Sequence, residues 1–280
     1  MAKAKQIQAP KGMNDILPAE QGYWEFILAR ARDIFTEYSF DKIDTPVVES
    51  TWLFTTSVGR GTDIVDKEMY SFKTKGGDDL ALRPEFTASM ARAYIEHGMQ
   101  VAPHPVQLWY YGPVFRHDNP QAGRYRQFFQ LGIESFGDET PAADALSIFI
   151  ARTLLESLGL KDLVVKVNSI GDASCRPQYI KALKEYYRGN AKKVCAQCKE
   201  RLKSNPLRVL DCKDEHCKEV IANVPQIVDF LDEACKRHFK SVLEFLDETK
   251  INYVMDHRLV RGLDYYTRTV FEIFPLSLMG

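Results

Sequence analysis

Apolar side chains recur at helical spacing over residues 20–38, where Trp24, Ile27, Leu28, Ala31, Phe35 and Tyr38 form one stripe. The same period predicts a helix over Pro84–His97, with Gly98 as its stop. A third helix is predicted from Thr140-Pro141, an N-cap followed by proline at the first helical position, to Gly159. Its apolar residues, among them Ile148, Phe149, Ile150, Leu154 and Leu155, lie on more than one side, which predicts deep burial. Between these segments the character turns β. Val106–Arg116 is aromatic and β-rich, and Tyr125–Phe136 follows after a loop with Pro120 and Gly123, so the two predict a hairpin with a long tip. Leu163–Asn168 reads as a short apolar strand, and Val254–Phe274 as a β-rich run around Gly262. Long antiparallel strands with helices elsewhere in the chain predict an α+β fold, an antiparallel sheet flanked by helices.

From about Ser169 to Lys250 the chain becomes lysine-rich and reads as mainly helical. This predicts an insertion domain at 169–250, between a core at 1–168 and a return to that core at 251–280. Charge adds a local feature. The whole chain is near neutral, with 37 basic against 38 acidic residues. Residues 181–203 nevertheless hold eight lysines and arginines against Glu185 and Glu200. Such a stretch attracts phosphate, or else forms a solvated helix face. At 45% hydrophobic and 27% charged the chain is not a disordered one. There is no apolar run long enough to span a membrane, and Met1–Gln8 lacks the apolar region of a secretory signal, so a cytoplasmic protein is expected.

Period-two alternation splits the second hairpin strand into two faces. One carries Arg124, Arg126, Phe128, Gln130, Gly132 and Glu134; the other is more apolar at its C-terminal half and is expected to meet helices. The gap at Gly132, beside an amide and a carboxylate, is expected to let a small ligand approach the backbone. A solvated polar face explains the same alternation. Arg116, across the loop from Arg124 and Arg126, tips the reading toward an anion site, because three guanidiniums around one loop repel one another unless an anion joins them. Cys195 and Cys198 have the spacing of a zinc knuckle, and Cys212 and Cys217 could complete four thiolates around structural Zn²⁺; buried free cysteines are the other reading.

Several blocks then become specific: KGMNDILP (Lys11–Pro18), DKIDTPVVES (Asp41–Ser50), LRPEFTA (Leu82–Ala88), FRHDNPQAGRYRQFFQLGIESFG (Phe115–Gly137) and LVRGLDYYTRTVFE (Leu259–Glu272). Together they resemble the catalytic domain of the bacterial histidyl-tRNA synthetases, which are class II aminoacyl-tRNA synthetases. The second block is similar to class II motif 1, the fourth to motif 2, and the last to the signature of the histidine enzymes. The resemblance implies a class II antiparallel sheet and a histidine–tRNA ligase. Such an enzyme joins L-histidine to ATP with Mg²⁺ and passes the histidyl group to tRNA(His), and it works as a homodimer. Arg116 and Arg261 are then the catalytic cations at the α-phosphate. Asp118 and Arg124 belong with them to the ATP site. Glu85, Thr87, Gln130, Glu134, Tyr265 and Tyr266 hold histidine, with Glu134 on one ring nitrogen and Tyr266 on the other, and Gln121 contacts tRNA.

Simpler roles are open for some of these residues. Glu85 could favour a helix N-terminus, Arg261 could pair with Asp264 or Glu272, and Tyr265-Tyr266 could be ordinary strand aromatics. Phe86 stands where many relatives carry a small residue, so its ring either narrows the pocket or swings outward. Asp118 stands where relatives often have a longer acid. Class II motif 3 and an anticodon-binding domain normally follow Gly280, so the chain is expected to be a fragment with little activity by itself. The rival readings are a non-catalytic paralogue that senses histidine as the regulatory subunit of an ATP phosphoribosyltransferase, and a zinc-containing nucleic-acid-binding protein.

Overall fold

The computed structural model describes residues 7–59, 62–121 and 123–278, so most of Met1–Gln8 lies outside them. The chain divides into two compact units, Met1–Gly137 and Asp138–Gly280. Both mix helices with small sheets, giving the α+β class that the hydrophobic pattern predicts.

The first unit contains, in order, α1 (Pro18–Glu37), β1 (Asp41–Lys42), β2 (Val48–Ser50), α2 (Thr51–Ser57), β3 (Ser71–Lys73), β4 (Asp79–Leu82), α3 (Thr87–Glu96), β5 (Val106–Phe115) and β6 (Gln127–Phe136). Strands β5 and β6 form the predicted antiparallel hairpin, in register from Val106 opposite Phe136 to Phe115 opposite Gln127. The strand β1 adds to β5 in parallel, and β2-β4-β3 form a separate antiparallel sheet. One face of the hairpin receives α1: Trp24 lies 4.9 Å from Phe129 and Phe35 5.6 Å from Trp109, ring centroid to centroid. The other face packs Leu108, Tyr110 and Val114 against Phe86 and Met90.

Strand β6 begins at Gln127, two residues later than the alternation predicts. Arg124 and Arg126 therefore lie in the loop, and the strand's two-residue period does not extend to them. The backbone N–H of Arg126 leaves the hairpin to bond the Gly12 carbonyl at 2.7 Å. Gly12 adopts φ +83°, and a Cβ there would lie 3.0 Å from both Arg126 Cγ and Pro120 Cγ. The KGMN segment and the hairpin loop meet at a position that only glycine fills without strain.

The second unit contains α4 (Pro141–Ser157), β7 (Leu163–Ser169), α5 (Arg176–Gly189), α6 (Ala196–Ser204), α7 (Lys218–Ala222), α8 (Glu233–Glu248), β8 (Tyr253–Met255) and β9 (Thr269–Pro275). Thr140 caps α4 as predicted, accepting from the Ala143 N–H at 3.4 Å, and Gly159 follows the helix at φ +92°. Helices α4 and α8 are joined by His238 and Asp144, whose Nε2 and Oδ2 are 2.9 Å apart. Beneath them Ile148, Val242 and Leu246 pack on Val165 and Val167.

The run 254–274 is not one strand. Strand β8 runs parallel to β7 and β9 antiparallel to it, on opposite edges, so the chain must cross and reverse between them. Residues 256–268 make that connection as a loop, and Arg268 takes φ +54° just before β9. Both ends of the predicted insertion, 169 and 250, lie inside this second unit, whose sheet draws strands from either side of it.

Candidate active site

The Leu82–Ala88 segment organises the site in the first unit. Arg83 is 3% exposed and reaches two other stretches of chain: its Nε donates to the Pro113 carbonyl at 2.9 Å, and its Nη1 to the carbonyls of Thr45 at 2.8 Å and Pro46 at 3.3 Å. One planar fork thus ties the DKIDTP segment to β5, a task lysine's single ammonium does not match. Burial pushes Arg83 below the usual guanidinium range, and the charges of Asp44 and Glu49 oppose that. Its Cζ lies 3.8 Å from the centroid of Phe86, whose ring stacks on Tyr110 at 4.2 Å. Phe86 is therefore a core side chain rather than one that swings out to solvent. The sequence reading assigns Arg83 no role; the signal there is a cation set between Leu82 and Pro84.

Next to it, Glu85 closes α3. Its Oε2 accepts from the Thr87 N–H at 2.6 Å and its Oε1 from the Ala88 N–H at 2.9 Å, and the side chain is 3% exposed. The helix starts at Thr87 instead of Pro84 because these N–H groups need an acceptor and the carboxylate supplies it. The helix-terminus role weighed for Glu85 is thus present. Thr87 then donates its hydroxyl to Glu134 Oε1 at 2.7 Å, from α3 to β6. Burial pushes the Glu134 carboxyl up to about 7; the Thr87 hydrogen bond pulls it down, and the nearby Glu85 charge pushes it up again. Two acids and a hydroxyl therefore converge, poised to accept a cationic or N–H-donating ligand.

Gly132 leaves no gap beside them. A Cβ there would lie 2.4 Å from Tyr110 Oη, so the phenol of the opposite strand already fills the space. The expectation of a ligand at that glycine is corrected: its bareness admits a cross-strand tyrosine. Gln130 lies on the same face, opposite Gly112.

The arginines around the loop have protein partners. Arg116 donates from Nε to the Pro84 carbonyl at 2.9 Å and lies 5.3 Å from the Phe128 ring centroid. Arg124 pairs with Asp118, Nη1 to Oδ2, at 3.1 Å, and Arg126 donates to the Asp118 carbonyl at 3.1 Å. Asp118 is thus an anion supplied by the loop itself. Gln121 is exposed at the tip, where its backbone exchanges hydrogen bonds with Arg124.

The second unit holds the Leu259–Glu272 residues. Arg261 Nη1 pairs with Glu272 Oε1 at 2.9 Å, one of the two partners weighed for it, and its Cζ lies 5.3 Å from the Tyr266 ring. Tyr265 and Tyr266 stack at 4.9 Å in the loop, not on a strand. Arg261, Tyr266 and Glu272 line a cavity of about 510 Å³ along β9. Two residues that the sequence reading missed hold this loop. Asn168, 2% exposed, donates to the Leu259 carbonyl at 3.0 Å, and Arg176 donates to the Tyr266 carbonyl at 2.7 Å.

The family model described as histidyl-tRNA synthetase matches residues 12–278. The chain belongs to the histidyl-tRNA synthetase family. It is 49% identical over 267 residues to a histidine–tRNA ligase of Halothermothrix orenii, covering 95% of this chain and 64% of that one. It is 48% identical over 269 residues to the ligase of Desulforamulus reducens, covering 96% and 64%. A crystal structure of apo S. aureus histidyl-tRNA synthetase superposes with a TM-score of 0.75 at 39% identity, over 96% of this chain and 61% of that one. A Bacillus halodurans structure, described as an ATP phosphoribosyltransferase regulatory subunit/histidyl-tRNA synthetase, shares the fold with a TM-score of 0.70 at 24% identity. The chain spans about 64% of the length of those curated relatives. The class II α+β fold follows from this likeness.

In this member of the family the four knuckle cysteines converge. Cys195 is the N-cap of α6, Cys198 lies in its first turn, Cys212 in a loop and Cys217 before α7. Their sulfurs lie within 4.8 Å of one another, with Cys195–Cys212 at 3.8 Å and Cys198–Cys217 at 3.9 Å. Four sulfurs at about 2.3 Å from a tetrahedral zinc stand about 3.8 Å apart, so the set fits that ion. Burial pushes the Cys217 thiol up to about 11, and pushes Cys198 up as well. For Cys195 burial is the largest single effect and raises the pKa, but the hydrogen bonds from the Cys198 N–H and from the Cys217, Cys198 and Cys212 thiols together outweigh it and the net shift is downward. No helix among the described residues is long and apolar enough to cross a membrane.

Proposed function

We propose that this chain carries the histidine-activating core of a histidine–tRNA ligase: L-histidine and ATP, with Mg²⁺, give histidyl-adenylate and pyrophosphate, and the histidyl group passes to tRNA(His). The observation that carries the reading is the Thr87–Glu134 hydrogen bond beside Glu85, at 2.7 Å. An acid held near neutrality and a second acid beside it suit a ligand with an ammonium and an imidazole. Glu85, Thr87 and Gln130 take the amino-acid end and Glu134 a ring nitrogen. An analogue without polar ring edges leaves these groups unpaired and is rejected. Arg116 takes the α-phosphate, and Arg124 with Asp118 the nucleotide; Gln121 is offered to tRNA. On the second unit, Arg261, Tyr265 and Tyr266 are the residues assigned to the same reaction. No protein nucleophile is required, because the substrate carboxylate attacks phosphorus, and the arginines supply positioning and charge.

The same proposal includes a homodimer in the cytoplasm, residues 169–250 as an insertion within a core formed by 1–168 and 251–280, and structural Zn²⁺ on Cys195, Cys198, Cys212 and Cys217. The basic stretch 181–203 next to these cysteines is the surface offered to the tRNA backbone.

Thermal melts with L-histidine, with Mg·ATP and with both test the binding. A rise in Tm with histidine that Glu134→Ala removes supports the reading, and no rise at saturating histidine refutes it. Histidine-dependent ATP–pyrophosphate exchange by the full-length protein separates the ligase from a histidine-sensing paralogue, which binds but does not exchange.

A further inference from the structure

A second cluster of ligand-type side chains lies in the second unit, away from the knuckle cysteines. Asp172 and Cys175 precede α5, and Asp232 and Cys235 span the start of α8. The two segments have the same spacing, an aspartate followed three residues later by a cysteine, and come together from positions 60 residues apart in the chain. The four ligand atoms all lie within 4.8 Å of one another. Cys175 and Cys235 are 4% and 1% exposed, with their sulfurs 4.0 Å apart, and Cys235 Sγ is 3.2 Å from Asp172 Oδ2.

We propose that Asp172, Cys175, Asp232 and Cys235 form a metal site for a divalent cation of the zinc class. Two thiolates and two carboxylates around a tetrahedral zinc stand roughly 3.4–3.8 Å apart, close to the spacing already present. Binding releases the two thiol protons to solvent. The proton Cys235 now donates to Asp172 leaves, which frees that Oδ2 for the metal. Charge also balances. Four anionic ligands around a dication leave two negative charges, and two guanidiniums accompany them: Arg268 Nε is 4.0 Å from Asp172 Oδ2, and Arg176 follows Cys175 directly. Thiolate sulfur with carboxylate oxygen selects zinc over magnesium or calcium, which take oxygen alone.

The site has a structural consequence. The Gly171 carbonyl accepts from the Arg268 N–H at 2.8 Å and from Arg176 Nη2 at 2.9 Å, and Arg176 Nη2 also reaches the Tyr266 carbonyl. A cation on Asp172 and Cys175 therefore clasps the base of the loop that presents Tyr265 and Tyr266. The inference does not depend on the proposed activity or on zinc at the knuckle cysteines.

Cobalt(II), whose thiolate charge-transfer band reports the number of sulfur ligands, is the probe, added to reduced, metal-stripped protein. With Cys195→Ser and Cys198→Ser combined, the chain is expected to keep one cobalt site with a thiolate band. Adding Cys175→Ser and Cys235→Ser is expected to abolish that band. Asp172→Asn with Asp232→Asn keeps the side-chain shape while removing two charges and one acceptor oxygen from each residue, and should weaken cobalt binding at this site roughly tenfold or more. Hydrogen exchange over 168–176 and 264–270 should slow when the metal is added. A folded Cys195→Ser/Cys198→Ser protein that shows no thiolate band overturns the proposal, as does a double asparagine variant that binds as tightly as its parent.

Discussion

Thr87 Oγ1 lies 2.7 Å from Glu134 Oε1, a bond that joins the first residue of α3 to the acidic end of β6. It places a hydroxyl on a carboxylate that burial holds near neutrality, with Glu85 adding to the pressure. The two acids, the hydroxyl and the helix terminus form one electrostatic unit.

That unit makes stability depend on pH. The Glu134 carboxyl is raised from 4.5 to about 7, so between those values the folded chain holds a proton that the unfolded chain has lost. The contribution is full below 4.5 and is lost as pH rises through about 7. Glu134→Gln should therefore raise the Tm of the ligand-free protein at pH 8, by the equivalent of ~3 kcal/mol, and change it little at pH 4.5. The same variant should lose the histidine-induced Tm shift. Paired melts at the two pH values check both.

Thr87→Val removes the hydrogen bond that favours ionised Glu134. The Glu134 carboxyl should titrate at higher pH than in the parent, visible in its side-chain carboxyl NMR signal, and histidine affinity at pH 7 should fall. An unchanged titration would show that the hydroxyl does not tune the acid.

Arg83→Met keeps volume but leaves the part-buried carbonyls of Pro113 and Thr45 without their donor. Loss of a buried charged donor to several part-buried acceptors should cost about 3 kcal/mol in urea unfolding. Arg83→Lys should recover only part of it, because one ammonium cannot span the fork.

Gly132→Ala forces a methyl group against the Tyr110 phenol, 2.4 Å from Oη. The substitution should cost about 1–3 kcal/mol, and much less in a Tyr110→Ala background. Additive effects in that double-mutant cycle would contradict the packing described.

Arg124→Ala offers a contrast. Its pair with Asp118 is 65% exposed on the arginine side, so unfolding should change by less than about 0.5 kcal/mol. Its effect should appear in Mg·ATP binding, as a weakened and less salt-sensitive interaction.

Much of this protein was legible in order along the chain. Local rules determined α1 and the capped start of α4 at Thr140, because each rests on contacts or torsions a few residues apart, and two adjacent β-rich runs joined by a Pro/Gly loop marked the β5–β6 hairpin. Spacing alone marked Cys195 and Cys198, and the blocks around Glu85, Arg116 and Arg261 carried the family likeness. Tertiary structure decided what those blocks do locally. It capped α3 with Glu85, broke 254–274 into two edge strands around a loop, and filled the Gly132 gap with a tyrosine from the facing strand. It also made Arg83 a clasp across 30 and 38 residues of chain, and brought two aspartate–cysteine segments 60 residues apart to one point. Periodicity reports which face a residue occupies. The partner across the gap is chosen by where distant segments come to rest, and no local pattern encodes that.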